Sequence, residues 1–243
     1  MTVDLRTADL RPYRARLWRM VEGQHRISTN RLADDPAAQA RLEELAEQVK
    51  PDVPAEARHL HWLLASPFRY YWVRASRFRR AGERPGIFYG GESELCALAE
   101  AAHGRLRFFA DSPDSLLPRT TIEHTVFTAQ ASAEQAADLT APPLDKAEAA
   151  WTHPDDYAAC QDLAASARKL HAGVIRYWSV RARQLTWADA ACVAVLDPAA
   201  LKGEPSIERT WHFRFAGEVL TAQPEFPASE QYRFAFADFG LAR

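Results

Sequence analysis

The stretch GIFYGGESELCALAE, residues 86–100, decides how the chain is read. A short apolar run, Ile87 to Tyr89, ends at two glycines, and Ser93 follows with Glu94 behind it. Ile, Phe and Tyr favour extended backbone, whereas a Ser N-cap followed by an acid favours the start of a helix. Strand, turn and helix therefore follow one another closely. That order sets an aromatic ring at the end of the strand and a carboxylate, Glu100, in the body of the helix. Two readings follow. One is a turn and a solvated helical glutamate; the other is a nucleotide cleft in which Tyr89 stacks on a ring and Glu100 faces a sugar.

Before this stretch, residues 35–49 predict a helix: Asp34 or Asp35 caps it, Pro36 suits its first turn, and Leu42, Leu45, Ala46 and Val49 share a face. Residues 54–66 repeat the pattern with Ala57, Leu60, His61 and Leu64. Beyond it, RLRFFA (105–110) and TTIEHTVFTAQ (120–130) predict strands, and residues 141–154 are the most loop-like segment. A helix is expected from about Asp155 to His171, with Gly173 just past its end. GVIRYWSV, AACVAVL and ERTWHFRF then predict three strands, the last turning at Ala216-Gly217 into EVLTA. Helices and strands mix without regular βαβ alternation, so the expected class is α+β. The expected division is a mainly helical N-terminal segment, 1–66, packed on a core of residues 67–243.

With 243 residues, 47% of them hydrophobic and 26% charged, the chain suits one compact unit. A formal net charge of −2 gives no global electrostatic case for nucleic acid or membrane. Cys96, Cys160 and Cys192 lie far apart, which argues for reduced thiols in a cytoplasm and against a disulfide framework or zinc knuckle. The first twenty residues hold no apolar core of signal-peptide length. A soluble cytoplasmic protein is expected.

Several motif matches stand without their companions. Asp238-Phe239-Gly240 spells a kinase metal motif, but no glycine-rich loop or H-R-D element accompanies it. Ser166 and Lys169 have S-x-x-K spacing without the further motifs of penicillin-binding enzymes. His59 and His61 sit two apart on an expected helix and point to different faces, so no metal is expected. The stretch FRYYWVRASRFRRAGERP, 68–85, differs in kind. It sets Arg69, Arg74, Arg77, Arg79, Arg80 and Arg84 against a single acid, Glu83, with aromatics interleaved. Guanidinium groups bind phosphate bidentately and aromatic faces take bases or pyridine rings. A solvated basic loop, a single-stranded nucleic-acid platform and a dinucleotide pocket all remain open on this segment.

The order SPFRY, SRF, GIFYG, ALAE and RYWSVR resembles the RES domain family. The stretches WRMVEGQHRISTNRLAD and LEELAEQVKP before it, and VAVLDPAAL and RTWHFRF after it, extend the resemblance over roughly residues 18–215. It implies a bacterial toxin that acts on NAD as its substrate, without a metal. It also implies a split β-core like that of diphtheria-toxin-type ADP-ribosyltransferases, and an Xre-like antitoxin as partner, oligomeric with the toxin. No direct nucleic-acid or membrane partner is implied. Position by position, the resemblance makes Glu100 and Ser179 catalytic and Arg77, Tyr89, Arg69 and Tyr70 the NAD-binding set. Arg79 rivals Arg77, because the chain sets it nearer the Tyr89 strand.

The chemistry asks for the same residue types. Cleaving the nicotinamide–ribose bond builds positive charge on the sugar, which a carboxylate stabilises. The cationic ring suits a tyrosine face, the diphosphate needs a fixed guanidinium, and a hydroxyl such as that of Ser179 can orient an oxygen. An enzyme that degrades NAD by cleaving the nicotinamide–ribose bond, with water or phosphate as the acceptor, is the expected function. Transfer of ADP-ribose to a host protein is the alternative, with Tyr71 and Trp72 a modest candidate rim for docking it. A nucleic-acid-binding module is the further one.

Overall fold

Period-two alternation hidden under arginines makes the first long element a strand, β1 (Leu10–Glu22). Tyr13, Ala15, Leu17 and Val21 pack into one apolar cluster, while Trp18 and Met20 pack into another. The computed structural model describes residues 5–23, 35–70, 74–188, 190–228 and 230–243. The expectation of a mainly helical segment over 1–66 is corrected here. β1 lies within the sheet between β2 and β3, and its exposed arginines masked the alternation that burial of one face produces.

The remaining elements follow in order. Helix α1 (Pro36–Gln48) is capped by Asp35, which accepts the N–H of Ala38 at 2.8 Å; Asp34 lies outside the described residues. The expected helix at 54–66 is instead a single 3-10 turn, Ala55–Ala57, and then α2 (Trp62–Arg69), which starts where His61 Nδ1 accepts the N–H of Leu63. Strand β2 (Phe88–Gly91) leads into α3 (Glu94–Ala110). Ser93 caps α3 by accepting the N–H of Cys96, while Glu94 binds Arg209 through both oxygens and accepts the indole N–H of Trp211. The expected strand at 105–110 is the last part of α3. Leu98, Ala102, Leu106 and Phe109 continue one buried helical stripe through it, and that burial overrides the strand preference of the two phenylalanines.

Strand β3 (Ile122–Asp138) follows. The segment expected as loop at 141–154 instead holds a 3-10 turn and a one-turn helix, α4 (Glu148–Trp151), because Trp151 is buried there with its indole N–H on Leu144 O at 2.7 Å. Then come α5 (Ala158–Lys169), β4 (Val174–Trp178), α6 (Val180–Gln184), β5 (Ala191–Val195), β6 (Leu201–Ala216), β7 (Val219–Pro224) and β8 (Tyr232–Phe234). Asp238 accepts the N–H of Ala235 at 2.7 Å and Gly240 adopts φ 66°, so the D-F-G triplet serves as a turn.

The sheet order is β1-β2-β5-β4-β3-β6-β7-β8, and β1 also pairs with β3, so the first five strands close a circuit. The fold is mixed α+β. Strand β3 forks the sheet: β6 pairs with it up to Ala131, and β4, the parallel neighbour, takes over from Ala136. β4 and β5 read as nearly continuous apolar runs because they are covered on both sides. Helix α3 lies over the start of this circuit. Its first turn comes so close to β2 that a Cβ on Gly91 would meet Cys96 Cβ at 2.8 Å and Ser93 O at 2.9 Å. That approach explains the second glycine after Tyr89, and it brings the following turn of α3 over the ends of β4 and β5.

Candidate active site

The approach of α3 to β2 leaves a cavity of about 400 Å³ between them. Tyr89 and Gly91 of β2, Ala97, Glu100 and His103 of α3, Tyr177 at the end of β4 and Arg181 of α6 line it. Trp18, Arg19 and Met20 of β1 close one wall, and Ser76 and Arg77 reach it from the loop before β2.

Glu100 stands at the centre. Ser179 Oγ donates to Glu100 Oε1 at 2.5 Å, and the same hydroxyl oxygen accepts the N–H of Ala182 at 3.1 Å as the N-cap of α6. Ser179 is fully buried and is not a lining residue. Its one proton is committed to the glutamate, so it positions Glu100 and leaves no exposed hydroxyl to orient a ribose or phosphate oxygen. Oε2 of Glu100 has no hydrogen-bond partner among the described residues.

Tyr89 presents its ring to the cavity while its hydroxyl shares a hydrogen bond with Ser76 Oγ at 2.9 Å and accepts the N–H of Phe78 at 3.3 Å. Burial raises its phenol pKa, so the side chain is a fixed neutral face. Tyr177 is likewise raised well above the usual range by burial. Beneath them Cys192 lies 2.7 Å, sulfur to sulfur, from Cys96; the hydrogen bond it shares with Cys96, then burial, raise the Cys192 thiol well above its ordinary pKa. Few thiolates form at such a site, which makes a cysteine nucleophile a poor candidate.

The two rival arginines separate cleanly. Arg77, 9% exposed, lines the cavity, donates to Trp151 O at 2.9 Å and His153 O at 3.0 Å, and sits 4.8 Å over the ring of Tyr157. Arg79 is 3% exposed and does not line it; its guanidinium ties its own loop through Glu83 O and Arg74 O. Arg69 and Tyr70, expected in the pocket, are not lining residues. Arg69 ends α2, where it pairs with Glu47 at 2.6 Å and donates to Pro51 O, and its guanidinium lies 6.0 Å from the Tyr70 ring. A carboxylate from α1 had no visible link to this position in the sequence, and its pull draws Arg69 away.

Three lining residues had no role assigned from sequence. Arg19 donates to Tyr89 O at 2.8 Å and lies 4.8 Å over the Phe88 ring, with no carboxylate beside it among the described residues; burial pushes its pKa down to about 10. A cation in register with Tyr13, Ala15, Leu17 and Val21 on the inward face of β1 was its only signal. Arg181, 4% exposed, donates to Pro154 O at 2.9 Å and Gln184 Oε1 at 3.3 Å, again without a carboxylate among the described residues. His103, one turn beyond Glu100, is pushed down to about 3 by burial and by Arg181, Arg107 and Arg77, so its imidazole is neutral. Its spacing from Glu100 on the helix was a legible signal. Trp178 points off the cavity, its ring under Arg183 and Arg176 at 4.8 and 5.7 Å, as strand alternation with Tyr177 demands.

The cleft is thus one fixed carboxylate, three tyrosines and three guanidiniums held by neutral acceptors. An α+β chain with such a cleft on a forked sheet is compatible with many families. The comparison that decides among them is with family sequences: the RES domain matches residues 53–216, most of the chain, and the chain belongs to the RES domain family. Among solved structures, a chain in the crystal structure of the MbcT–MbcA toxin–antitoxin complex of M. tuberculosis is similar at 12% identity, with a TM-score of 0.48, over 84% of this chain and 87% of that one. No curated protein sequence matches.

Proposed function

We propose that this chain cleaves the nicotinamide–ribose bond of NAD and acts as a toxin restrained by an antitoxin of Xre-like type. The observation that carries the reading is the Ser179-held Glu100, whose second oxygen is available to the cavity that Tyr89, Arg19, Arg77 and Arg181 also enter. Membership of the RES domain family supports it, because that resemblance implies a toxin that acts on NAD. The implied core, akin to diphtheria-toxin-type ADP-ribosyltransferases, belongs to the same proposal.

The residues divide the work by charge. A cationic nicotinamide ring packs on Tyr89, and the buried guanidiniums take the diphosphate. As the ribose C1′–N bond breaks, its electron pair passes to the ring nitrogen and neutralises the leaving nicotinamide, so no general acid is needed. Positive charge grows on C1′ and the ring oxygen, and Glu100 stabilises it. Water then adds at C1′ and loses a proton, giving ADP-ribose; with phosphate as acceptor the product is its 1″-phosphorylated form.

The stretch 68–85 fits a nucleic-acid platform poorly. Arg69, Arg74 and Arg80 each reach a carboxylate, and Arg77 and Arg79 are buried. The deciding experiment is incubation of pure protein with NAD and identification of the products by mass spectrometry. Free nicotinamide with ADP-ribose or its phosphorylated form is expected. Intact NAD under conditions where the protein is folded overturns the proposal.

A further inference from the structure

Beyond His103 the main cavity meets a second, polar one of about 330 Å³ at the C-terminal end of α3. His103 and Arg181 line both. Arg107, Asp111 and Asp155 form its polar walls, and the segment from Phe239 to Ala242 closes it.

The shared wall is built for something it does not itself contain. Nε2 of His103 is buried without a hydrogen-bond partner among the described residues, and a buried polar atom left so is costly unless a ligand or water completes it. Arg181 beside it is held by Pro154 O, Gln184 Oε1 and Tyr157 OH, all neutral. Arg77 is fixed by two carbonyls just before Pro154, Trp151 O at the end of α4 and His153 O, and it sits over the same Tyr157 side chain. One segment thus orients two buried guanidiniums without neutralising either, which suits an anion arriving from outside.

Past that wall the chemistry changes. Arg107 is engaged by Asp111 at 2.9 Å, and Asp155, with a side chain 74% exposed, has only Arg107 at 3.9 Å among the described residues. The ring of Phe239 meets that of His103 edge to face at 5.4 Å. Carboxylate oxygens able to accept from hydroxyls, beside an aromatic wall, suit a ribose and a base better than a second anion.

We propose that this second cavity is the subsite for the adenosine half of the dinucleotide. The diphosphate lies across Arg77, Arg181 and His103, and the adenosine ribose faces Asp155. The inference rests on the NAD reading above, and it adds a direction: the ligand runs from Glu100 along α3 toward its C-terminal end, with the nicotinamide half in the main cavity.

The test uses full-length Glu100→Gln protein, titrated calorimetrically with ADP-ribose and with nicotinamide mononucleotide. Ala242→Trp fills the second cavity from an exposed position, and Asp155→Ala removes an exposed acceptor. Ala242→Trp should weaken ADP-ribose binding by about tenfold or more while leaving the mononucleotide within about twofold. Asp155→Ala should weaken ADP-ribose in the same selective way by a few fold, and it stands alone if the tryptophan variant does not fold. Unchanged ADP-ribose affinity, or equal loss for both ligands, overturns the subsite while the NAD reading stands. Failure of the Gln protein to bind either ligand removes the NAD reading and this inference with it.

Discussion

Ser179 donates its hydroxyl proton to Oε1 of Glu100, and its own Oγ accepts the N–H of Ala182 at the start of α6. One buried side chain therefore joins the helix that carries the acid to the helix that carries Arg181. Carboxylate and guanidinium are held in register across the cleft by a single hydroxyl.

Glu100→Gln should keep the fold and lose turnover on the order of a hundredfold or more, because it removes the charge that stabilises the sugar cation. Nicotinamide release measured beside thermal melting checks it. Near-native release from a folded variant would sink the role of Glu100.

Ser179→Ala should act through Glu100 rather than through binding. Loss of the cap costs about 1 kcal/mol of stability. Loosening the acid lowers kcat on the order of ten- to a hundredfold, with KM little changed. Ser179→Thr, which keeps both donor and acceptor, should recover part of the activity. A rise in KM with normal kcat would instead place this hydroxyl on the substrate.

The arginines should separate by readout. In the Glu100→Gln background, Arg77→Ala and Arg19→Ala should each weaken NAD about tenfold or more, the scale of a charge-assisted hydrogen bond. Arg79→Ala should leave affinity alone and lower Tm, since its guanidinium does not line the cavity and binds carbonyls of its own loop. The reverse ranking, seen by calorimetry, would move the anion site to Arg79.

Acid should destabilise the fold through two histidines, the half-buried His103 and the buried His124. Burial, as the main cause, pushes His103 down to about 3 and His124 down to about 4, from an ordinary 6.5. Between those values the unfolded chain holds more protons than the native one. Their contribution is therefore complete above about pH 6.5 and is lost as the pH falls toward 4 and then 3. Melting temperatures across this range should drop with acid, and His124→Gln should flatten the drop. A variant profile parallel to the parent's would assign the acid sensitivity elsewhere.

Expression in a bacterial host should arrest growth, Glu100→Gln should be harmless, and co-expression of an adjacent antitoxin gene should restore growth. Labelled NAD in host lysate tests the acceptor at the same time. A discrete labelled protein band that precedes free ADP-ribose would favour transfer to protein. The rim expected to dock such a protein, Tyr71 and Trp72, lies outside the described residues.

What the sequence determined by itself was local. Ser93 as a cap, the short strand ending at Tyr89, the turn at Gly217 and the buried runs of β4 and β5 depend on neighbours a few positions away, and each was legible from residue type and period. The order of the motifs was legible too, and with it the RES family. Where tertiary burial outvoted local preference, sequence failed: in β1, whose arginines hid its period, and at 105–110, where the stripe of α3 claimed two phenylalanines. Only the folded chain decided which polar groups meet. Ser179 and Glu100 are 79 residues apart, Arg77 is oriented by carbonyls 74 and 76 residues away, and Arg69 is drawn off by Glu47. No local pattern encodes such pairings, because a hydroxyl or guanidinium has the same propensity whichever partner the topology brings to it.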